Sequence, residues 1–352
     1  MSRQRKAWGV AAGLVGVAAA GATARAVQKV QGRPGAGDET PFGELRGPSM
    51  KVVTDDGIDL HVEIDEPDPG HGNGLTVIFV HGFTLNLDCW HFQRAAYRGL
   101  VRTVYYDQRS HGRSARSKGS NCTIDQLGRD LKRIIETTSE GGPVVVVGHS
   151  MGGMSLISLA GQFPELFGEK VVGSALIGTT AGGLDPGRIL FPMVPLGSLS
   201  GRAIGRLVRV LDRGHMVVDR ARSVGARIAQ TVVDNFAFGV DVPRNYADFV
   251  FEMIDATSFD VVADFYPSFA SLNHYDRLAA LGKVPCTVIG GRLDKLTGIG
   301  HSRKLHSRIP GSELFEVVNA GHMVMLESHV EVNAELDELF DRAASLAREV
   351  AG

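Results

Sequence analysis

Cysteine is scarce in this chain. Its 352 residues hold only Cys89, Cys122 and Cys286, scattered, odd in number and with no pair at metal-ligand spacing. That argues against a disulfide framework or a zinc site, and free thiols fit a reducing compartment. An excess of either charge is also missing: 37 Lys and Arg stand against 39 Asp and Glu, for a formal net charge of −2. No global field therefore points to nucleic acid as a partner. Long apolar runs are absent too; the best, the charge-free Ala7 to Ala24, is short and only mildly apolar against the roughly 20 residues of a membrane span. What is present is ordinary for a soluble globular protein, with 43% hydrophobic and 22% charged residues, which excludes a disordered or fibrous chain.

The N-terminus differs from the rest. Arg3, Arg5 and Lys6 precede the apolar run, and A-G-A-T-A-R-A follows within it, the layout of a signal peptide as much as of an anchor. Residues 1–30 are therefore expected to be a membrane anchor or export signal rather than a soluble helix. The protein would be membrane-associated or exported, the alternative being cytoplasmic. Arg25, Lys29 and Arg33 put positive charge on the other side as well, so orientation stays open. Residues 31–48, with Gly and Pro throughout, read as a linker.

From residue 50 short β-rich runs alternate with helical segments. Met50 to Thr54 and Asp59 to Asp65 pair across Asp56-Gly57 as a hairpin. Thr76 to Val80, Arg102 to Tyr106, Val144 to Val147 and Lys170 to Ile177 follow, then Cys286 to Gly290 and Leu314 to Val318. Ile124, Leu127, Leu131, Ile134 and Ile135 lie on one side of a helix over 124–138, and a closing helix runs through 331–348. Near-continuous apolar strands alternating with helices predict a mostly parallel sheet covered on both faces. Residues 184–274 interrupt the pattern with helices and loops, as an inserted cap would, between core parts 49–183 and 275–348. Within the cap Arg202, Arg206, Arg209 and Arg213 share one helical face, and Asp248, Glu252 and Asp255 make an acidic one. Amphipathic helices with solvated or mutually paired charges are the default for such faces, ahead of a strip that meets anionic substrates or lipid headgroups.

Chemistry concentrates at Gly148-His149-Ser150-Met151-Gly152, a G-x-S-x-G stretch between a strand and an apolar helical run. Glycines two residues either side of Ser150 allow a turn tight enough to lift its hydroxyl above the C-terminal edge of the sheet. A Gly-rich packing turn is the plain alternative. A serine nucleophile needs a base, and the base an orienting acid. Asp294 and His322 follow the Cys286 and Leu314 strands in the order Ser, acid, His. His301, His306, His329, His215 and His274 are worse placed; Asp185 and Asp264 are rival acids. The oxyanion donors are expected to be the backbone amides of Phe83, after His81-Gly82, and of Met151. His149 reads as structural.

With H-G-F at 81, Y-D-Q-R-S-H-G-R-S from 106, G-H-S-M-G-G from 148, G-G-R-L-D-K-L from 290 and N-A-G-H-M-V-M-L-E from 319, residues 50 to 348 resemble an α/β-hydrolase of the ester-hydrolase-like group. The resemblance implies an α/β-hydrolase fold: an eight-stranded, mostly parallel sheet with helices on both faces and an inserted helical cap. It implies Ser150, Asp294 and His322 as catalytic triad, and a structural role for Asp107 to Ser114. Ser150 argues against the related epoxide hydrolases and dehalogenases, which carry an aspartate nucleophile. The expected activity is a serine hydrolase on a carboxylic ester, with no metal or organic cofactor. Cap residues such as Phe191, Met193, Leu196, Phe236 and Phe238 suggest a hydrophobic substrate. Thioesterase, C–C bond hydrolase and cofactor-free perhydrolase share these motifs, and a non-catalytic small-molecule receptor on the same fold is the reading from another class. Substrate-binding residues are not legible.

Overall fold

A computed structural model describes residues 37, 39–72, 74–184 and 229–351. The segment 1–30, Asp185, His215, the Arg202 to Arg213 face, and Phe191, Met193 and Leu196 lie outside the described residues. Eight strands form one sheet: β1 (Ser49–Val53), β2 (Asp59–Asp65), β3 (Thr76–Val80), β4 (Arg102–Tyr106), β5 (Val144–His149), β6 (Val171–Ile177), β7 (Cys286–Gly291) and β8 (Glu313–Val317). Their order across the sheet is β1-β2-β4-β3-β5-β6-β7-β8. Only β1 with β2 and β2 with β4 pair antiparallel; every other neighbour is parallel. β1 and β8 sit one residue earlier than their apolar runs suggest, because ladder hydrogen bonds rather than hydrophobicity set strand ends.

The mostly apolar central strands are covered on both faces. Side chains alternate across a strand, so Val77, Phe79, Val145 and Val147 pack with Leu336, Leu339 and Phe340. Ile78, Val80, Val144 and Val146 face the other way, onto Leu131, Ile134, Leu156 and Ile157. The helices responsible are α1 (His91–Tyr97), α2 (Ile124–Thr138), α3 (Met151–Gln162), α4 (Arg244–Ala256), α5 (Phe259–Ala270), α6 (Ile299–His306), the single turn α7 (Val324–Glu327) and α8 (His329–Ala351). α2 begins where expected because Thr123 accepts a hydrogen bond from the Gln126 amide, a capping arrangement that stabilises the first turn. Among the described residues no helix is long and apolar enough to cross a membrane.

The loop after β4 is structural, as the resemblance implied. Asp107 accepts the amides of Leu87 and Arg113 at 2.8 and 2.7 Å. Arg109, with its side chain fully buried, pairs with Asp130 at 2.6 Å and Asp56 at 2.8 Å. In the cap, Phe249, Val250 and Met253 of α4 are buried while Asp248, Glu252 and Asp255 are exposed, so the acidic face is a solvated one. The chain leaves the sheet for the cap at Gly182 and returns at Asn273, which bridge antiparallel, and the His274 amide donates to the Ala181 carbonyl at 2.7 Å. Within the stretch expected as a linker, Phe42 stacks on Phe249 of α4 with ring centroids 4.5 Å apart and meets Phe92 of α1 edge-on at 5.8 Å. That part of the stretch is packed between core and cap rather than free, because a single aromatic found a cluster to join.

Candidate active site

The strand order reverses at β3, whose neighbours β4 and β5 are reached by connections in opposite directions. Such a switch point leaves a crevice at the C-terminal strand ends. Gly82 and Phe83 leave β3 there, and Ser150 leaves β5. Ser150 has φ 51° and ψ −116°, a conformation costly for any residue with a Cβ. The surrounding glycines are required by space: a Cβ on Gly152 would lie 2.1 Å from the Val80 carbonyl oxygen, and one on Gly148 2.6 Å from the Gly152 carbonyl. The strained turn is held from behind. The Ser150 amide donates to the Ile177 carbonyl at 2.9 Å, and the Thr179 hydroxyl donates to the Ser150 carbonyl at 2.6 Å.

The structure brings Ser150, His322 and Asp294 together. His322 Nδ1 lies 2.9 Å from Asp294 Oδ2, and its Nε2 lies 3.0 Å from Ser150 Oγ. With Nδ1–H donating to the carboxylate, Nε2 is left to accept the serine proton. Asp294 Oδ1 accepts the amides of Leu296 and Thr297 at 2.7 and 2.9 Å. Burial alone would raise the Asp294 carboxyl, but the adjacent His322 and the hydrogen bonds from His322 and Thr297 outweigh it and hold it below the ordinary value. Thr297 was not legible as a site residue. Its hydroxyl lies 2.8 Å from Asp294 Oδ2 and 2.7 Å from the Gly178 carbonyl, which ties the acid's loop to the end of β6. A threonine three residues beyond an aspartate is too common a pattern to announce this.

Neither the Phe83 nor the Met151 amide donates to an acceptor among the described residues. Both residues border the same cavity as Ser150 and His322. His149 supports the arrangement from below: its Nε2–H donates to the His322 carbonyl at 3.0 Å. Burial above all, then the neighbouring His322, lowers its pKa to about 3, so it is neutral at working pH. His81 is likewise buried, with pKa about 3, and accepts the Gln108 amide at 2.9 Å on Nε2. It anchors the H-G-F turn to the loop after β4.

The rival residues are engaged elsewhere. Asp264 pairs with Arg116 at 2.9 Å and His274 with Asp125 at 3.5 Å. His301 meets Thr180 at 2.8 Å, His306 meets Ser312 at 3.0 Å, and His329 stacks on Phe92 at 3.8 Å.

The cavity above Ser150 is apolar. Leu85, Met154 and Met323 line it from the core, and Leu184, Val232, Ala237, Val250, Ile254 and Phe269 from the cap. Among the described residues no Asp, Glu, Lys or Arg borders it. Phe236 and Phe238, whose apolar character suggested a hydrophobic substrate, do not line it; Phe238 packs against the hydrophobic cluster that includes Val233, Ala237 and Val324. Residue type alone could not tell which side of the cap faces the serine. One group of acidic side chains among the described residues, Asp55, Asp56 and Asp130, is close enough to hold a metal ion. The Arg109 guanidinium already supplies a cation to Asp56 and Asp130.

The family model described as "Alpha/beta hydrolase family" matches residues 77–335. An uncharacterized protein of Mycobacterium tuberculosis is 25% identical over 262 residues, 71% of each chain. A thermophilic esterase from Thermogutta terrifontis superposes with a TM-score of 0.66 at 21% identity, covering 85% of this chain and all of that one. The enol-lactonase from Burkholderia xenovorans LB400 gives a TM-score of 0.66 at 21% identity, over 84% of this chain and all of that one. At these identities the solved structures speak to the fold.

Proposed function

The chain belongs to the alpha/beta hydrolase family, and on that ground we propose that it is a serine hydrolase cleaving a carboxylic ester of a hydrophobic small molecule or lipid. The observation that carries the reading is the hydrogen-bonded series Asp294, His322, Ser150, with links of 2.9 and 3.0 Å. His322 Nε2 takes the Ser150 proton as Oγ attacks the ester carbonyl. Asp294 holds the imidazole in the tautomer that can accept it and stabilises the imidazolium that forms. The developing oxyanion is met by the Phe83 and Met151 amides. Collapse of this intermediate breaks the C–O bond, and His322 gives its proton to the departing alcohol. Water, deprotonated by His322, then attacks the acyl-serine and releases the acid.

Substrate class follows from the cavity lining. A wall without formal charge among the described residues favours an uncharged, apolar acyl or alcohol group, since an ionised one would lose its water without a partner. The names of the esterase and enol-lactonase among the structural neighbours support the same reaction class.

A fluorophosphonate probe tests the reading directly. The wild type is expected to be labelled and to hydrolyse aryl esters faster than matched thioesters or C–C substrates. Ser150→Ala is expected to lose both labelling and turnover. An unlabelled wild type, or equal labelling of Ser150→Ala, refutes the proposal.

A further inference from the structure

One carboxylate beside the site has no part in the triad. Glu327, at the end of α7 and half-buried, accepts two backbone amides from different parts of the molecule. Its Oε1 takes the Gly321 amide at 2.7 Å, immediately before His322. Its Oε2 takes the Gly239 amide at 2.7 Å, in the cap. Two further contacts run between the same segments. The Met323 amide donates to the Ala237 carbonyl at 2.9 Å. Gly239 and Gly321 pack backbone to backbone, so that a Cβ on Gly321 would stand 2.3 Å from the Gly239 nitrogen. Residues on both sides of this junction face the cavity: Ala237 and Val232 from the cap, His322 and Met323 from the core.

The chemical type of residue 327 matters here. A carboxylate can accept on both oxygens, whereas a glutamine keeps one acceptor and turns an N–H against the second amide. No ion pair joins Glu327 to a cation among the described residues. Burial pushes its pKa up, and the amides of Gly239 and Gly321 work against that push. An unpaired, partly desolvated acid costs stability, and the gain set against that cost is a fixed junction between cap and histidine loop.

We infer that Glu327 is a positioning residue, which sets His322 against Ser150 by clamping the histidine loop to the cap segment 237–240. Cap and base thereby form one rigid unit, so the base is in register only when the cap is seated. The inference rests on the triad reading above, and the test separates the two.

Glu327→Gln, Glu327→Asp and Gly239→Ala are made in the full chain, and active sites are titrated with the fluorophosphonate. Turnover of an aryl ester is then expressed per titrated site, so partial misfolding drops out. Misplacement of a base by about 1 Å costs up to about a hundredfold in rate. Glu327→Gln is therefore expected to lower kcat per site about 10- to 100-fold with KM changed less than about threefold. Glu327→Asp, which keeps both acceptors on a shorter reach, is expected to recover part of that loss. Gly239→Ala, pressing on the junction from the cap side, is expected to lower kcat in the same way. A kcat per site within twofold of wild type in both Glu327→Gln and Gly239→Ala overturns the inference and leaves the triad reading standing. If Glu327→Gln yields no titratable protein, Glu327→Asp and Gly239→Ala decide it by the same criterion. Failure of the wild type itself to label overturns both readings.

Discussion

At the scale of single residues, the site is a set of protonation states fixed by surroundings. Asp294 stays ionised because His322 and the Leu296 and Thr297 amides reward the charge. Asp294→Asn keeps the shape but leaves His322 free to hold its proton on the wrong nitrogen, and a loss of about 10⁴-fold in kcat is expected on aryl esters. His149 has the opposite condition. Its pKa falls from 6.5 to about 3 in the fold, so the unfolded chain binds a proton that the folded one refuses. Stability drawn from this residue is therefore present above pH 6.5 and is lost as the pH falls toward 3. His149→Gln, which can still donate to the His322 carbonyl, is expected to cost less at pH 5 than at pH 7.5. The difference approaches about 1.4 kcal/mol per pH unit, read as a denaturant midpoint at each pH. The serine, histidine and aspartate were legible because each follows an apolar strand and, for the serine, because the glycines admit no other geometry. Thr297 and Glu327 were not, since their partners lie 119 and 88 residues away, at Gly178 and in the cap at Gly239, or belong to loops whose approach only the fold creates.

Among the elements, hydrophobic runs decided the outcome. β3, β5 and β6 are buried along their whole length, and their near-continuous apolar sequences could hardly serve elsewhere. α2 was equally clear, with Leu127, Leu131, Ile134 and Ile135 all buried on one stripe. What joins elements by charge was less visible. The Arg109 guanidinium links the β1–β2 turn, the loop after β4 and α2 through Asp56 and Asp130. Burial raises the Asp130 carboxyl even against this cation, so removing the partner leaves a charge with little compensation. Arg109→Met is expected to destabilise the protein by about 3–5 kcal/mol, measured by chemical denaturation. Sequence position gives no hint of such a bond, because residues 56, 109 and 130 come together only when β2 pairs with β4.

Across the whole molecule, cap and core are fastened at separate places. One is the junction of Gly239 with Gly321, and another is the aromatic cluster around Phe42, where Tyr246 and Phe249 of the cap meet His91 and Phe92 of the core. Each aromatic pair of this kind adds about 0.5–1.5 kcal/mol beyond burial. Phe42→Ala is expected to cost about 1–3 kcal/mol and to make cap helix α4 more open to proteolysis, followed by limited digestion and thermal melting. A Gly- and Pro-rich stretch with one phenylalanine has no period to read, so its docking was invisible in the sequence. The antiparallel bridge of Gly182 with Asn273 has a wider meaning. An excursion whose two ends meet closes its loop on itself, and the entropy of closure grows only slowly with its length. The strands that carry Ser150, Asp294 and His322 are complete without it. The segment between those ends can therefore change in length at little entropic cost while the sheet keeps its register, provided that residues 237–240 still reach Glu327.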